Sequence, residues 1–137
     1  MSERHASLDA SAQFLRFCAV GAIGFVVDAG ALTFLVDVAG MGLLLGRVVS
    51  YLLAATVTWY MHRQFTFPHG KVARHGRQWF RFVAVNAAGA GINYGIYVIL
   101  VLNLATFARL PALAVAVGSI AALAFNFLAS RRYVFRA

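Results

Sequence analysis

The chain is 137 residues long, 62% hydrophobic and only 12% charged, with a formal net charge of +8. So few charged residues cannot clothe a water-soluble domain of this size, and a bilayer supplies the apolar solvent the composition demands. In chain order, residues 1–13, MSERHASLDASAQ, are polar, mixed in charge, and read as a short cytoplasmic lead. Phe14–Val36 is the first run long enough to cross a bilayer, which takes about 20 apolar residues. It is too long for the core of a signal peptide and lacks the expected cleavage site, so it is read as a retained membrane helix. Gly21, Gly24, Asp28 and Ala31 follow at spacings of three, four and three, which places them on one face. The small residues there invite another helix to come close. A carboxylate such as Asp28 costs about 2.5–3.5 kcal/mol at the centre of a spanning helix, and it is expected to face a bundle interior or a wet cavity. Cys18, the single cysteine, permits no intrachain disulfide and reads as a small packing residue.

Residues 37–46, DVAGMGLLLG, predict a tight glycine-rich connection with Asp37 in solvent. Arg47 opens a second span, about Arg47–Met61, whose start can lie as early as Met41. Its side chain can snorkel outward or reach back to Asp28 as an ion pair. Tyr51, Ala55, Thr58 and His62 share a face, and the string from Trp59 to Phe67 predicts an aromatic belt at the membrane–water interface. His62 has no second ligand at metal-binding spacing, and His5, His69 and His75 fall in loops, so no metal is expected. Residues 68–78, PHGKVARHGRQ, are a helix-breaking basic linker suited to anionic lipid head groups. The third span is Phe80–Asn103 and contains a GxxxG match at Gly91 and Gly95. The loop 104–110 holds Arg109, and Pro111 suits the first turn of the fourth span, Pro111–Ala129. None of these runs alternates as barrel strands do, so helices are the default.

The halves repeat. At a shift of 65, Arg16, Phe17, Ala19, Val20, Gly24 and Gly30 fall on identical residues, from Arg81 to Gly95, and Asp28 falls on Asn93. Asn86 takes the place of Gly21. At a shift of 68, Ser119, Leu123, Asn126 and Ser130 take the places of Tyr51, Ala55, Thr58 and His62. The tail from Arg131 to Phe135 then takes the place of Arg63 to Phe67, and the longer shift puts three extra residues in the second connection. The predicted fold is an all-α membrane protein: four transmembrane helices formed by a parallel duplication of a two-helix unit, repeat 1 about 14–67 and repeat 2 about 79–135. If the helices alternate, one side holds Arg4, Arg16, Arg63, Lys71, Arg74, Arg77, Arg81, Arg131, Arg132 and Arg136, and the other only Arg47 and Arg109. That asymmetry predicts cytoplasmic termini and explains the positive charge without nucleic acid.

Four strings in order carry a resemblance: FLRFxxVG with an acidic residue seven beyond the glycine, a second helix ending R-x-F-x-F, then WFRFxxVN, and a final N-F-L-x-S-R-R-Y-V-F. Together they resemble the GtrA-like family of small four-helix bacterial membrane proteins, as a single domain over about residues 14–136. The resemblance implies a part in cell-surface polysaccharide synthesis or glycosylation. It implies translocation of a polyprenyl-phosphate-linked sugar, such as undecaprenyl-phosphate glucose, across the inner membrane, beside a polyprenyl-phosphate glycosyltransferase. Members commonly carry Asn at the places of Thr58, His62 and Ser130, so this chain departs from the pattern there.

No Ser/His/Asp set, paired carboxylates or phosphate-binding glycine loop is visible, which argues against an enzyme and against a cofactor. Translocation asks for cations to hold a lipid phosphate, and Arg16, Arg81, Arg63, Arg131 and Arg132 are the candidates. Topology alone also places arginines there. It asks for a polar path to sugar hydroxyls, offered by Asp28, Asn93, Asn86, Tyr51, Thr58, Ser119 and Asn126. One alternative is a small-molecule exporter of the four-helix multidrug type, for which a lone membrane carboxylate is the needed feature. Against it, Asp28 lies toward the outer half and its repeat partner is Asn93. Another is a non-transporting membrane partner of the glycosyltransferase. Four helices enclose little space, which leaves room for a homo-oligomer.

Overall fold

The computed structural model describes residues 2–68 and 74–135, with side chains from Ala10 onward. The side chains of Arg4, His5, His69, Lys71 and Arg136, used in the charge and histidine arguments, lie outside the described residues. The protein is an all-α membrane protein. Among the described residues there is no strand, and four helical stretches are long and apolar enough to cross a membrane: Ala10–Val38, Leu43–Thr66, His75–Asn103 and Pro111–Val134. Their outward faces are apolar, with Phe25 74%, Leu44 85% and Leu102 77% exposed. Water would not tolerate so many exposed large side chains, whereas lipid does, and helices satisfy their own backbone within it.

Helix α1 runs Ser2–Thr33. The polar lead is therefore continuous with the first span, since no Gly or Pro interrupts the chain before Gly21. A wide π turn, Phe34–Val38, ends it, with the Ala39 N–H bonded to the Phe34 carbonyl at 3.0 Å. Gly40 then takes φ +69°, the left-handed region where glycine pays no steric penalty, and turns the chain. Helix α2, Leu43–Met61, follows directly. The connection is thus shorter than the sequence reading of 37–46. Leu43–Leu45 are good helix formers, and Gly46 is a packing residue inside the helix, where a Cβ would sit 3.0 Å from Val36 Cγ2. Helix α2 passes into a second π turn, His62–Thr66. Helix α3 spans His75–Asn103, so the end of the basic linker is helical. A short α4, Ala105–Arg109, fills the second connection, where the change of shift calls for extra residues. Pro111 opens α5, Pro111–Ala129, and a third π turn, Ser130–Val134, follows it.

The helices form two compact units: the first runs to Trp79 and takes in Phe135, and the second is Phe80–Val134. In the first, α2 buries Gly46, Ser50, Ala54 and Thr58, spaced four apart along one face. In the second, α5 buries Ala114, Gly118 and Ala122 at the same spacing. Such stripes of small residues let backbones approach where lipid gives no hydrophobic drive to associate. The approach is close at Gly24, where a Cβ would overlap Thr58, and at Gly89, where it would overlap the Asn126 amide. At Gly118 it would overlap Asn93. The Gly24–Thr58 and Gly89–Asn126 contacts fall at positions that the sequence repeat pairs. The GxxxG match is not such a contact: no heavy atom beyond the helix's own backbone lies within 4 Å of a Cβ built on Gly91 or Gly95.

Candidate functional site

The end of the first unit where α2 closes is an aromatic and polar core rather than the belt that the sequence predicted. Trp59, His62, Thr66 and Phe67 are buried, while Tyr60 and Phe65 point outward. The His62 ring stacks on Phe17 at 4.4 Å, and Phe67 stacks on Phe135 at 4.9 Å. The π turn brings His62 Nδ1 within 3.0 Å of Thr66 Oγ1. Gln78, in the first turn of α3, is fully buried and accepts at Oε1 from Trp59 Nε1 (3.2 Å) and from Arg63 Nη1. Nothing in the sequence singles out Gln78, the last residue of the basic linker, directly before the WFRF string.

The five arginines proposed for phosphate divide accordingly. Arg63 is 6% exposed and turned into the first unit against Gln78. Arg16, Arg81, Arg131 and Arg132 are exposed. Arg16 Nη1 donates to the Phe65 carbonyl at 3.1 Å, and Arg81 Nη1 to the Tyr133 carbonyl at 3.5 Å. Both acceptors lie in π turns, at helix ends whose last carbonyls have no partner within the helix. The contact is the same in each unit and falls at positions the repeat pairs. One nitrogen anchors the guanidinium, and the planar fork has further donors that can take two oxygens of a phosphate. The Arg132 guanidinium lies 5.9 Å from the centre of the Tyr133 ring.

Toward the opposite end, Asp28 of α1 and Arg47 of α2 are joined by an ion pair, Nη1 to Oδ2 at 2.5 Å. The Asp28 side chain is 18% exposed and that of Arg47 55%. Asp28 Oδ1 and the hydroxyl of Tyr51 are buried and, among the described residues, have no hydrogen-bond partner. Thr58 is committed to its own helix, donating to the carbonyls of Ala54 (2.9 Å) and Ala55 (3.1 Å), so its methyl group faces Gly24. In the second unit, Asn93 Nδ2 donates to Ser119 Oγ at 3.4 Å, and Asn86 Nδ2 to the Phe82 carbonyl at 2.9 Å. Asn126 Oδ1 and Ser130 Oγ are buried and, among the described residues, have no hydrogen-bond partner. Each unit therefore keeps polar atoms inside an apolar span with unused bonding capacity. Such atoms are costly in hydrocarbon and able to bind an incoming hydroxyl. Among the described residues no group of three His, Cys, Asp or Glu is placed to hold a metal ion.

A family model for the GtrA/DPMS transmembrane domain matches residues 16–135. No curated protein matches the chain.

Proposed function

The chain belongs to the GtrA/DPMS transmembrane-domain family, membrane proteins linked to polyprenyl-phosphate sugar processes, and on that premise we propose that it translocates a polyprenyl-phosphate-linked sugar across the bacterial inner membrane. The sugar serves cell-surface polysaccharide synthesis or glycosylation, and the protein works beside a polyprenyl-phosphate glycosyltransferase. The observation that carries this reading is the set of unsatisfied polar atoms within apolar spans, Asp28 Oδ1 and Tyr51 OH in one unit and Asn126 Oδ1 in the other. A sugar offers hydroxyls that donate and accept, and the carboxylate and phenol of one unit and the amide of the other can each meet them. Four exposed arginines, Arg16, Arg81, Arg131 and Arg132, suit the lipid phosphate before or after crossing. Arg63 has the weaker claim because Gln78 engages it. The basic bias of the sequence supports a cytoplasmic side for these arginines and for both termini. An exporter that loads a cation on a free membrane carboxylate is a poorer reading, because Arg47 already neutralises Asp28.

The test is a charge-conserving exchange. Arg16→Lys and Arg81→Lys keep the topology signal and remove the planar fork. Each is expected to lower sugar addition to the cell surface by about tenfold, as loss of one charge-assisted hydrogen bond does. Wild-type sugar addition in both variants would remove the phosphate role from this pair.

A further inference from the structure

Arg47 stands apart from the other cations. It lies on the first unit's opposite end, in the second turn of α2, a helix whose N-terminus has no side-chain cap. Its side chain is 55% exposed, yet it bonds a carboxylate that is itself largely buried. Asp28 is ten residues from Val38, about 15 Å along α1, and eighteen from Ala10, about 27 Å. The pair thus sits in the half of the membrane away from Arg16. Only Nη1 of Arg47 is engaged, and Asp28 uses only Oδ2. Oδ1 and the neighbouring Tyr51 hydroxyl, one helical turn beyond Arg47, have no hydrogen-bond partner among the described residues. The ion pair thus leaves part of each residue's bonding capacity unused.

We propose that Asp28 is a resident counter-anion in a second phosphate station: on the far side of the membrane a lipid-borne phosphate displaces its carboxylate from Arg47. This rests on the translocation reading above and adds where the lipid is held once it has crossed. The chemistry is an exchange of one anion for another on the same guanidinium. Arg47 is exposed enough for a head group to reach it, and its fork matches a phosphate as well as a carboxylate. The uncapped amides of Leu43 and Leu44, one turn before it, favour the same negative charge. The displaced carboxylate would be stranded in an apolar site unless it accepts hydrogen bonds, and the hydroxyls of a sugar on that same phosphate supply them. Tyr51 can then donate to, or accept from, the same sugar. A bare lipid phosphate cannot satisfy Asp28 in this way, so the station prefers the sugar-bearing lipid. In the empty protein the ion pair holds the site closed and neutral.

The experiment places a bimane fluorophore on Leu44→Cys, an exposed position beside Arg47, in a Cys18→Ser background. The protein is reconstituted in phosphatidylcholine nanodiscs and titrated with undecaprenyl phosphate, with undecaprenyl-phosphate glucose, with phosphatidylglycerol and with inorganic phosphate. Asp28→Asn removes the competing anion and keeps the shape of the side chain. It is expected to tighten the bare undecaprenyl phosphate at the bimane by about tenfold and to abolish the preference for the glucosylated lipid. Arg47→Gln is expected to weaken both lipids by about tenfold or more, and Arg47→Lys to retain part of the binding. Phosphatidylglycerol and inorganic phosphate are expected to gain less with Asp28→Asn, since neither presents a terminal phosphate on a polyprenyl chain. An Asp28→Asn protein that binds the bare lipid no tighter than wild type overturns the exchange, as does an equal gain with phosphatidylglycerol or inorganic phosphate. If wild-type protein retains undecaprenyl phosphate in a filter assay but the bimane is insensitive to Arg47→Gln, the second station alone is wrong. If wild-type protein retains neither lipid, the translocation reading falls with it.

Discussion

Gly24 and Gly91 look alike in the sequence, each in a small-residue pattern within a long apolar run, yet only Gly24 has a neighbour where its side chain would be. Replacing Gly24 by Ala puts a methyl group into Thr58, whose own hydroxyl is tied to the Ala54 and Ala55 carbonyls and whose methyl cannot simply rotate away without breaking those bonds. Overpacking of this kind costs about 1–3 kcal/mol. Gly24→Ala is therefore expected to lower the midpoint of thermal unfolding in detergent, while Gly91→Ala is expected to leave it unchanged or raise it slightly. Equal effects of the two substitutions would refute this assignment of the contacts. The spacing of Gly21, Gly24, Asp28 and Ala31 was enough to name a face of α1. It was not enough to say which glycine meets a partner, because that depends on where the stripe of the other helix falls. The buried face of α2 takes in Gly46, Ser50, Ala54, Ala55, Thr58 and Trp59, so Ala55 and Thr58 of the face read from the polar side chains lie within it and Tyr51 lies at its edge. Arg47 was legible as an alternative: its depth put Asp28 within reach, and the ion pair at 2.5 Å is the arrangement the structure adopts.

At the scale of elements, the three π turns account for most of what the sequence did not convey. The string from Trp59 to Phe67 has the composition of an interfacial belt, and nothing in its periodicity distinguishes that from a core. The π turn His62–Thr66 changes the angle at which successive side chains leave the helix, so that His62, Thr66 and Phe67 turn inward together. Phe135, two residues from the end of the sequence, completes this core by stacking on Phe67 and lying edge-on to His62 at 6.3 Å. Phe67 and Phe135 are the final aromatics of the two paired tails, so the recurrence of the tail in the sequence anticipated their likeness but not their contact. Truncating a buried Phe to Ala costs about 3–5 kcal/mol in a well-packed core. Phe135→Ala is expected to destabilise the first unit, read as faster amide exchange in α2 near His62. Exchange there at the wild-type rate would show that Phe135 contributes nothing to the core. Arg16 on Phe65 and Arg81 on Tyr133 are anchored alike, at positions that the repeat read from the sequence would pair.

For the whole molecule, the helical spans were legible because a bilayer leaves little choice: apolar length selects helix, and four such lengths were present. The boundaries moved outward by a few residues, where polar lead and linker segments continue a helix that no glycine or proline stops. The proposed topology rests on the basic residues that simple alternation of the four spans would put on one side. A cysteine introduced as Lys71→Cys in a Cys18→Ser background is expected to resist a membrane-impermeant maleimide in intact cells and to react in inverted vesicles. Strong labelling in intact cells would invert the orientation. The central claim, that the protein carries a lipid-linked sugar across the bilayer, is tested most directly in proteoliposomes loaded with radiolabelled undecaprenyl-phosphate glucose. The measured quantity is the fraction of label that external periodate oxidises over time. With the protein present the account predicts that the protected half becomes accessible, and that Arg16→Lys with Arg81→Lys slows this by about tenfold or more. A protected fraction that persists as it does in protein-free vesicles would contradict the account.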